Sequence, residues 1–185
     1  MRALKPSRSA SEAKVPTIES TVAACSPPMK LKRAFGHIHS WRGPYAPPAT
    51  GETMQAMCRR AAAAGAFLGI AHPQWYGLTV EDALSIPEAH AVEIYNHGCA
   101  VECGRGDGWV VHDEALVRGH RLNAYAADDA HFGTPDAGGG WVMVKAETLE
   151  PELILEALKR GDFYSSQGPE IHDIAVYGDE VSVAC

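Results

Sequence analysis

No apolar run in this sequence approaches the roughly 18 residues that a membrane-spanning helix requires. The first residues also lack the hydrophobic segment of a secretory leader. Cysteine is scarce: five residues, an odd number without regular spacing, make no disulfide framework and point to a reducing compartment. The expected location is therefore the cytoplasm, with no membrane partner. Three familiar catalytic signatures are missing as well. There is no Ser/His/Asp triad and no P-loop. The glycines of 104–108 lack the spacing and the strand-to-helix setting of a dinucleotide fingerprint. No internal repeat is present.

What remains is an ordinary soluble composition, 46% hydrophobic and 21% charged, in a chain of 185 residues that can bury one proper core. The net charge of −7 hides an asymmetry. Residues 1–33 carry seven Lys/Arg against two Asp/Glu, whereas 34–185 carry nine against 21. The basic start is rich in Ser, Ala and Pro, and it has neither aromatic residues nor a dense basic cluster. It reads as a disordered tail. The acidic remainder, a single domain over 34–185, argues against any nucleic acid larger than a small nucleotide. It leaves room for a small phosphorylated substrate held through metal ions.

Periodicity predicts a helix over 52–64, closed by Gly65, with Met54, Met57, Ala61 and Ala64 as its core stripe. A buried strand over 67–71 follows, then a short helix capped by Thr79 and a strand over 91–95. A helix over 111–117, a strand over 122–127 and a strand over 141–144 come next. Pro151 opens the clearest helix, 150–160, which Gly161 stops. A short strand over 163–166 precedes a hairpin, 173–177 with 180–184, around Gly178-Asp179. Strands alternating with helices through 52–166 predict an α/β fold with parallel strands.

Two strand ends carry ligand-type side chains. His72 follows the 67–71 run, and Asp129 and His131 follow the 122–127 run. Residues i and i+2 of a strand face the same side, so a carboxylate oxygen and an imidazole nitrogen would reach into one cavity. That donor set suits Mn²⁺, Zn²⁺ or Fe²⁺. The carboxyl-end rim of a parallel sheet is also where α/β folds place their chemistry. His37 and His39 offer a second His-x-His pair. Glu93, Asn96 and Asp128 lie beside the rim as orienting groups. Lys145, Ser165 and Ser166 are candidates to meet a substrate phosphate. His97, Cys99 and Cys103 fit no standard zinc spacing and read as a loop with buried thiols.

Five ordered segments then acquire a common meaning. They are 71–75 (AHPQW), 92–96 (VEIYN), 126–131 (AADDAH), 139–146 (GGWVMVKA) and 161–169 (GDFYSSQGP). Over about residues 67–172 the chain resembles the PHP family, the polymerase-and-histidinol-phosphatase metallo-phosphoesterases, most closely the stand-alone bacterial type. The resemblance implies a distorted, TIM-like (β/α)7 barrel. It also implies two or three divalent ions at the strand ends that hydrolyse phosphate esters by clamping phosphoryl oxygens and lowering the pKa of a bound water. It assigns His72 to the His-Pro ligand, and Asp129 and His131 to the closing Asp-x-His ligands.

The sequence also departs from that pattern. The family opens with a His-x-His motif, an Asp, a Thr-Asp-His strand end and a Glu strand end, all well before the His-Pro motif. Here His39 lies only 33 residues before His72, and Glu52 is the one acidic residue between them. His37 and His39 therefore match the opening motif by coincidence, and they would join the ligand set only if the amino-terminal segment folds back to the rim. The expectation is a carboxyl-terminal half-barrel that keeps three ligands. It acts either as a metal-dependent phosphoesterase with Asp129 and His131 in the catalytic role, or as a catalytically silent half-barrel that binds metal weakly and associates through its exposed edge.

Overall fold

The structure, a computed structural model, describes residues 49–185. His37, His39 and the basic tail lie outside the described residues. Helix α1 (Met54–Ala63) starts where Thr53 turns its side chain back to accept from the Ala56 N–H, 3.2 Å away. It is followed by β1 (Gly69–Ile70), α2 (Pro73–Tyr76) and α3 (Val80–Leu84). At the start of α3, Thr79 and Asp82 cap each other reciprocally, satisfying two amide groups that the first turn leaves open. The chain continues through β2 (Ala91–Asn96), α4 (His97–Cys103), α5 (Trp109–Val117), β3 (Asn123–Ala127), β4 (Trp141–Val144), α6 (Pro151–Arg160) and β5 (Phe163–Ser166). The hairpin strands β6 (Asp173–Tyr177) and β7 (Glu180–Ala184) complete it.

Strands β1, β2 and β3 form one parallel sheet in that order. Both faces are covered, which is why these strands read as almost continuous apolar runs. Ile70 and Val92 pack with Leu78, Ala83 and Val111 on one side. Phe67, Ala91 and Tyr125 pack with Leu155 of α6 on the other. A third cluster, Met57, Cys58, Leu68 and Ile86, seats α1. The predicted α1 stripe is partly met: Met57 is buried and Met54 and Ala61 are partly buried against it, whereas Ala64 lies just past the helix end and is exposed.

Three expectations are corrected. Strands β4 and β5 pair antiparallel, with Trp141 opposite Ser166, although a helix separates them in sequence. Their sheet lies against β3, where the Ser165 hydroxyl donates to the Ala124 carbonyl at 3.1 Å. Residues 97–103, read as a loop, are helix α4, because the Asn96 side chain accepts from the Cys99 N–H at 2.8 Å and supplies the cap. Finally, the 67–71 strand keeps ladder pairing only at Gly69 and Ile70, since the chain turns into α2 at His72.

Where β1 stops, residues 106–108 take over as the neighbour of β2. The Asn96 N–H donates to the Gly106 carbonyl at 2.8 Å, and the Gly108 N–H donates to the Ile94 carbonyl at 3.1 Å. Side chains would not fit there: a Cβ at Gly106 would strike the Asn96 carbonyl, and one at Gly108 would overlap the Glu93 carbonyl. Gly106 and Gly108 thus serve close backbone approach, and Gly104 closes α4 in the left-handed region at φ +68. Gly108→Ala is expected to destabilise the fold by about 2 kcal/mol, read as a lower urea midpoint at an unchanged slope, because a backbone oxygen cannot move aside as a side chain can.

Candidate functional site

The carboxyl ends of β1, β2 and β3 converge on one polar cluster. His72 leaves β1 at φ +28, a strained conformation for a non-glycine residue, and its carbonyl then starts α2. Its Nε2 lies 3.8 Å from Oδ2 of Asp129, and both side chains are largely buried, at 6% and 14% exposure. Two donors at that separation suit two ligands of a single ion with bonds of about 2.0–2.2 Å. The imidazole-plus-carboxylate set therefore fits part of a transition-metal coordination sphere.

Behind this pair stands β2. Register shifts between Glu93 and Tyr95, leaving Ile94 as an extra residue. The bulge brings Glu93 and Asn96 to the same side, which plain alternation would not. The Glu93 carboxyl accepts from the backbone N–H of His72 and from Nδ2 of Asn96, the latter at 3.1 Å. The same Asn96 nitrogen donates to Asp129 Oδ2 at 3.2 Å. One amide thus links the carboxyl that supports His72 to the carboxylate that faces it. Burial pushes the Glu93 pKa up to about 8, against the opposing effect of the two hydrogen bonds, with the Asp129 charge adding to the rise. Burial thus favours the neutral form of Glu93, whose carboxyl positions His72 and Asn96.

The aromatic side of the cluster comes from α2. The Tyr76 ring centroid lies 5.0 Å from that of His72, and Trp75 meets the imidazole edge-on at 5.7 Å. Burial, then the Asp129 charge, raises the Tyr76 pKa. Tyr76 escaped the sequence reading. Its position four residues after His72 was the available signal, since a helix starting at the histidine returns that residue toward it. The Cys99 thiol is pushed up to about 12, by burial first and the Asp129 charge second, which makes it an inert packing group.

The loop after β3 corrects the strand-based placement of the closing ligands. Strand β3 ends at Ala127, and Asp129 sits at φ +50, in the left-handed region. The two-residue alternation of a strand therefore does not carry through to His131. His131 is exposed, and its ring groups with Glu102 and Asp136 instead. Among the described residues, those three supply the one set of three or more ligand atoms mutually within 4.8 Å, and neither His72 nor Asp129 belongs to it. Glu102 and Asp136 were not anticipated, since they come from a helix read as a loop and from an irregular segment.

Asp128 orients loop backbone. Its carboxylate accepts the N–H groups of Gly138, Gly139 and Gly140, the last two at 2.8 Å each. Asp128→Ala is expected to cost about 1–3 kcal/mol and to accelerate hydrogen exchange at 138–140, with Asp128→Asn restoring part of the protection through its amide oxygen. Lys145 is exposed at the end of β4, bonded through its backbone to Asp162. Ser166 is buried with its hydroxyl donating to the Pro169 carbonyl, and Ser165 donates to Ala124, so both hydroxyls are engaged inside the fold.

No family model, curated protein or solved structure matches this chain.

Proposed function

We propose that this chain is a metal-dependent phosphoesterase-like protein of the PHP type, acting on a small phosphate ester at the His72–Asp129 pair. The observation that carries the reading is the juxtaposition of an imidazole nitrogen and a carboxylate oxygen 3.8 Å apart at the carboxyl edge of a parallel sheet. The distorted (β/α)7 barrel, in its carboxyl-terminal half, and the cytoplasmic location belong to the same proposal. Among the described residues, no helix is long and apolar enough to cross a membrane.

His72 and Asp129 would hold a divalent ion, Mn²⁺, Zn²⁺ or Fe²⁺, which when bound clamps phosphoryl oxygens and lowers the pKa of a water. The chain's own contribution is positional. Asn96 fixes the Asp129 carboxylate through the 3.2 Å bond, and the Glu93 carboxyl fixes the His72 backbone. Burial of the pair keeps the imidazole and carboxylate in a setting of low dielectric, where electrostatic interactions are strengthened. His131, the third ligand that the resemblance assigns, stands on the same loop as Asp129. His37 and His39 would join the pair from the amino-terminal segment.

A silent half-barrel is the second reading. It is favoured by the fact that, among the described residues, the one group of three ligand atoms within 4.8 Å of one another includes neither His72 nor Asp129. Hairpin β6–β7 adds to it, with Ile174, Val176, Val181 and Val183 exposed in cross-strand register as a surface for self-association. Metal analysis of the purified full chain, with Mn²⁺-dependent hydrolysis of 4-nitrophenyl phosphate, separates the two. Bound metal and turnover uphold the phosphoesterase. Metal-free, inactive protein that elutes as an oligomer upholds the silent form.

A further inference from the structure

Resting on the phosphoesterase reading, we infer that Trp75 is the specificity-determining residue of the His72–Asp129 site. The phosphate ester it favours carries a flat aromatic group. Trp75 keeps 46% of its surface exposed beside two side chains that are themselves largely buried. Its place follows from the local sequence. Helix α2 is a single turn that starts from His72 and closes at Gly77, which takes the left-handed conformation at φ +60. Trp75 and Tyr76, three and four residues after His72, therefore both return to the imidazole. The turn is pinned from two sides. The Leu78 N–H donates to the Pro73 carbonyl at 2.8 Å, and Gln74 Oε1 accepts from the Asp107 N–H at 2.9 Å.

The indole is held and yet open. It meets the His72 ring at 72° and 5.7 Å, and the Tyr76 ring at 88° and 4.7 Å. Both contacts are edge-to-face, so neither covers the indole with a parallel ring. Among the described residues no group accepts from the indole N–H. A ring already fixed by its neighbours loses little freedom when a second ring stacks on it, which makes rigid aromatics effective contacts. Glu93, Asn96 and Tyr76, which also meet the pair, bring no positive charge for a second anionic group. Trp75 brings an uncharged ring face. With the phosphoryl group at the His72–Asp129 pair, a ring joined to it through one ester oxygen would lie against the adjoining indole.

The test is calorimetric titration of the full chain, supplied with Mn²⁺, with phenylphosphonate and with methylphosphonate, which keep the anionic head and cannot be hydrolysed as esters. Wild type is compared with Trp75→Ala and Trp75→Phe, and bound Mn²⁺ is measured in each. The readout is the ratio of the two Kd values, which cancels any loss that both compounds share through His72 or the ion. Wild type is expected to bind phenylphosphonate about tenfold more tightly, the scale of one stacked aromatic contact and the area it buries. Trp75→Ala should bring the ratio below about twofold, and Trp75→Phe should hold it above about threefold, because a smaller ring still stacks. A wild-type ratio near one, or an undiminished ratio in Trp75→Ala, overturns the inference. If Mn²⁺ and both compounds are bound in that case, the phosphoesterase reading stands. A ratio that collapses as fully in Trp75→Phe as in Trp75→Ala also overturns the inference, since it assigns the effect to the fold around His72. Wild type that holds neither Mn²⁺ nor either compound overturns both.

Discussion

His72→Ala and Asp129→Ala are each expected to lower metal-dependent phosphate-ester hydrolysis by more than about a hundredfold, with loss of the ion from this pair. Removing a partner that merely orients a ligand typically costs about 10–100-fold. The loss of a ligand itself should exceed that. Asn96→Ala should fall inside the 10–100 range, since its amide holds Asp129 in place without meeting the ion. Both ligand positions have positive φ, so a change of residue also alters backbone strain. Asp129→Asn avoids this, because asparagine tolerates the left-handed region and keeps the side chain's shape while removing the charge. Activity of Asp129→Asn near the wild-type level, with the same metal content, would sink the assignment.

The second large effect concerns pH. Glu93 ionises near 4.5 in an unfolded chain and near 8 in the native one. An acid with a raised native pKa favours the folded state fully below its ordinary value. That stability is lost as pH climbs from about 4.5 to about 8, and then the loss levels off because the native carboxyl ionises too. The slope contributed by this one group approaches 1.4 kcal/mol per pH unit within the window. Glu93→Gln keeps an oxygen to accept from His72 and Asn96 but cannot ionise. Urea denaturation in the presence of a chelator should show wild type losing a few kcal/mol relative to Glu93→Gln between pH 5 and pH 8. Parallel pH profiles for the two proteins would show that Glu93 is not held neutral.

Much of this was legible in the sequence where local signals act alone. The β6–β7 hairpin matches its predicted bounds because a two-residue turn fixes its own register. Helix α6 was clear because Pro151, an amphipathic stripe and Gly161 all agree. Helix α4 was not, because His97 to Cys103 has no amphipathic pattern and contains a glycine. The structure gives that glycine a tertiary reason: a Cβ at Gly98 would stand 3.0 Å from the carbonyls of Asp128 and Asp129. His72 and Asp129 were found as strand-end polar residues, and Glu93 and Asn96 as their neighbours. The grouping of His131 with Glu102 and Asp136 was not foreseeable, since left-handed turns at Asp129 and Phe132 redirect the loop where a strand rule was applied. The antiparallel β4–β5 pair was hidden for a related reason. An intervening helix ordinarily signals a parallel crossover, and only packing against β3 decides otherwise.

The length of β1 bears on the order in which the molecule assembles. His72 and Asp129 are 57 positions apart in the chain, and β1 contributes only two paired residues to hold the first of them beside β2. Long-range parallel pairing is slow because loop entropy must be spent before contacts repay it. The approach of His72 to Asp129 therefore depends on the full β1–β2–β3 register. An ion held by this pair, as proposed, would be captured only once that register is set, and chelation would act on a sheet that is already complete.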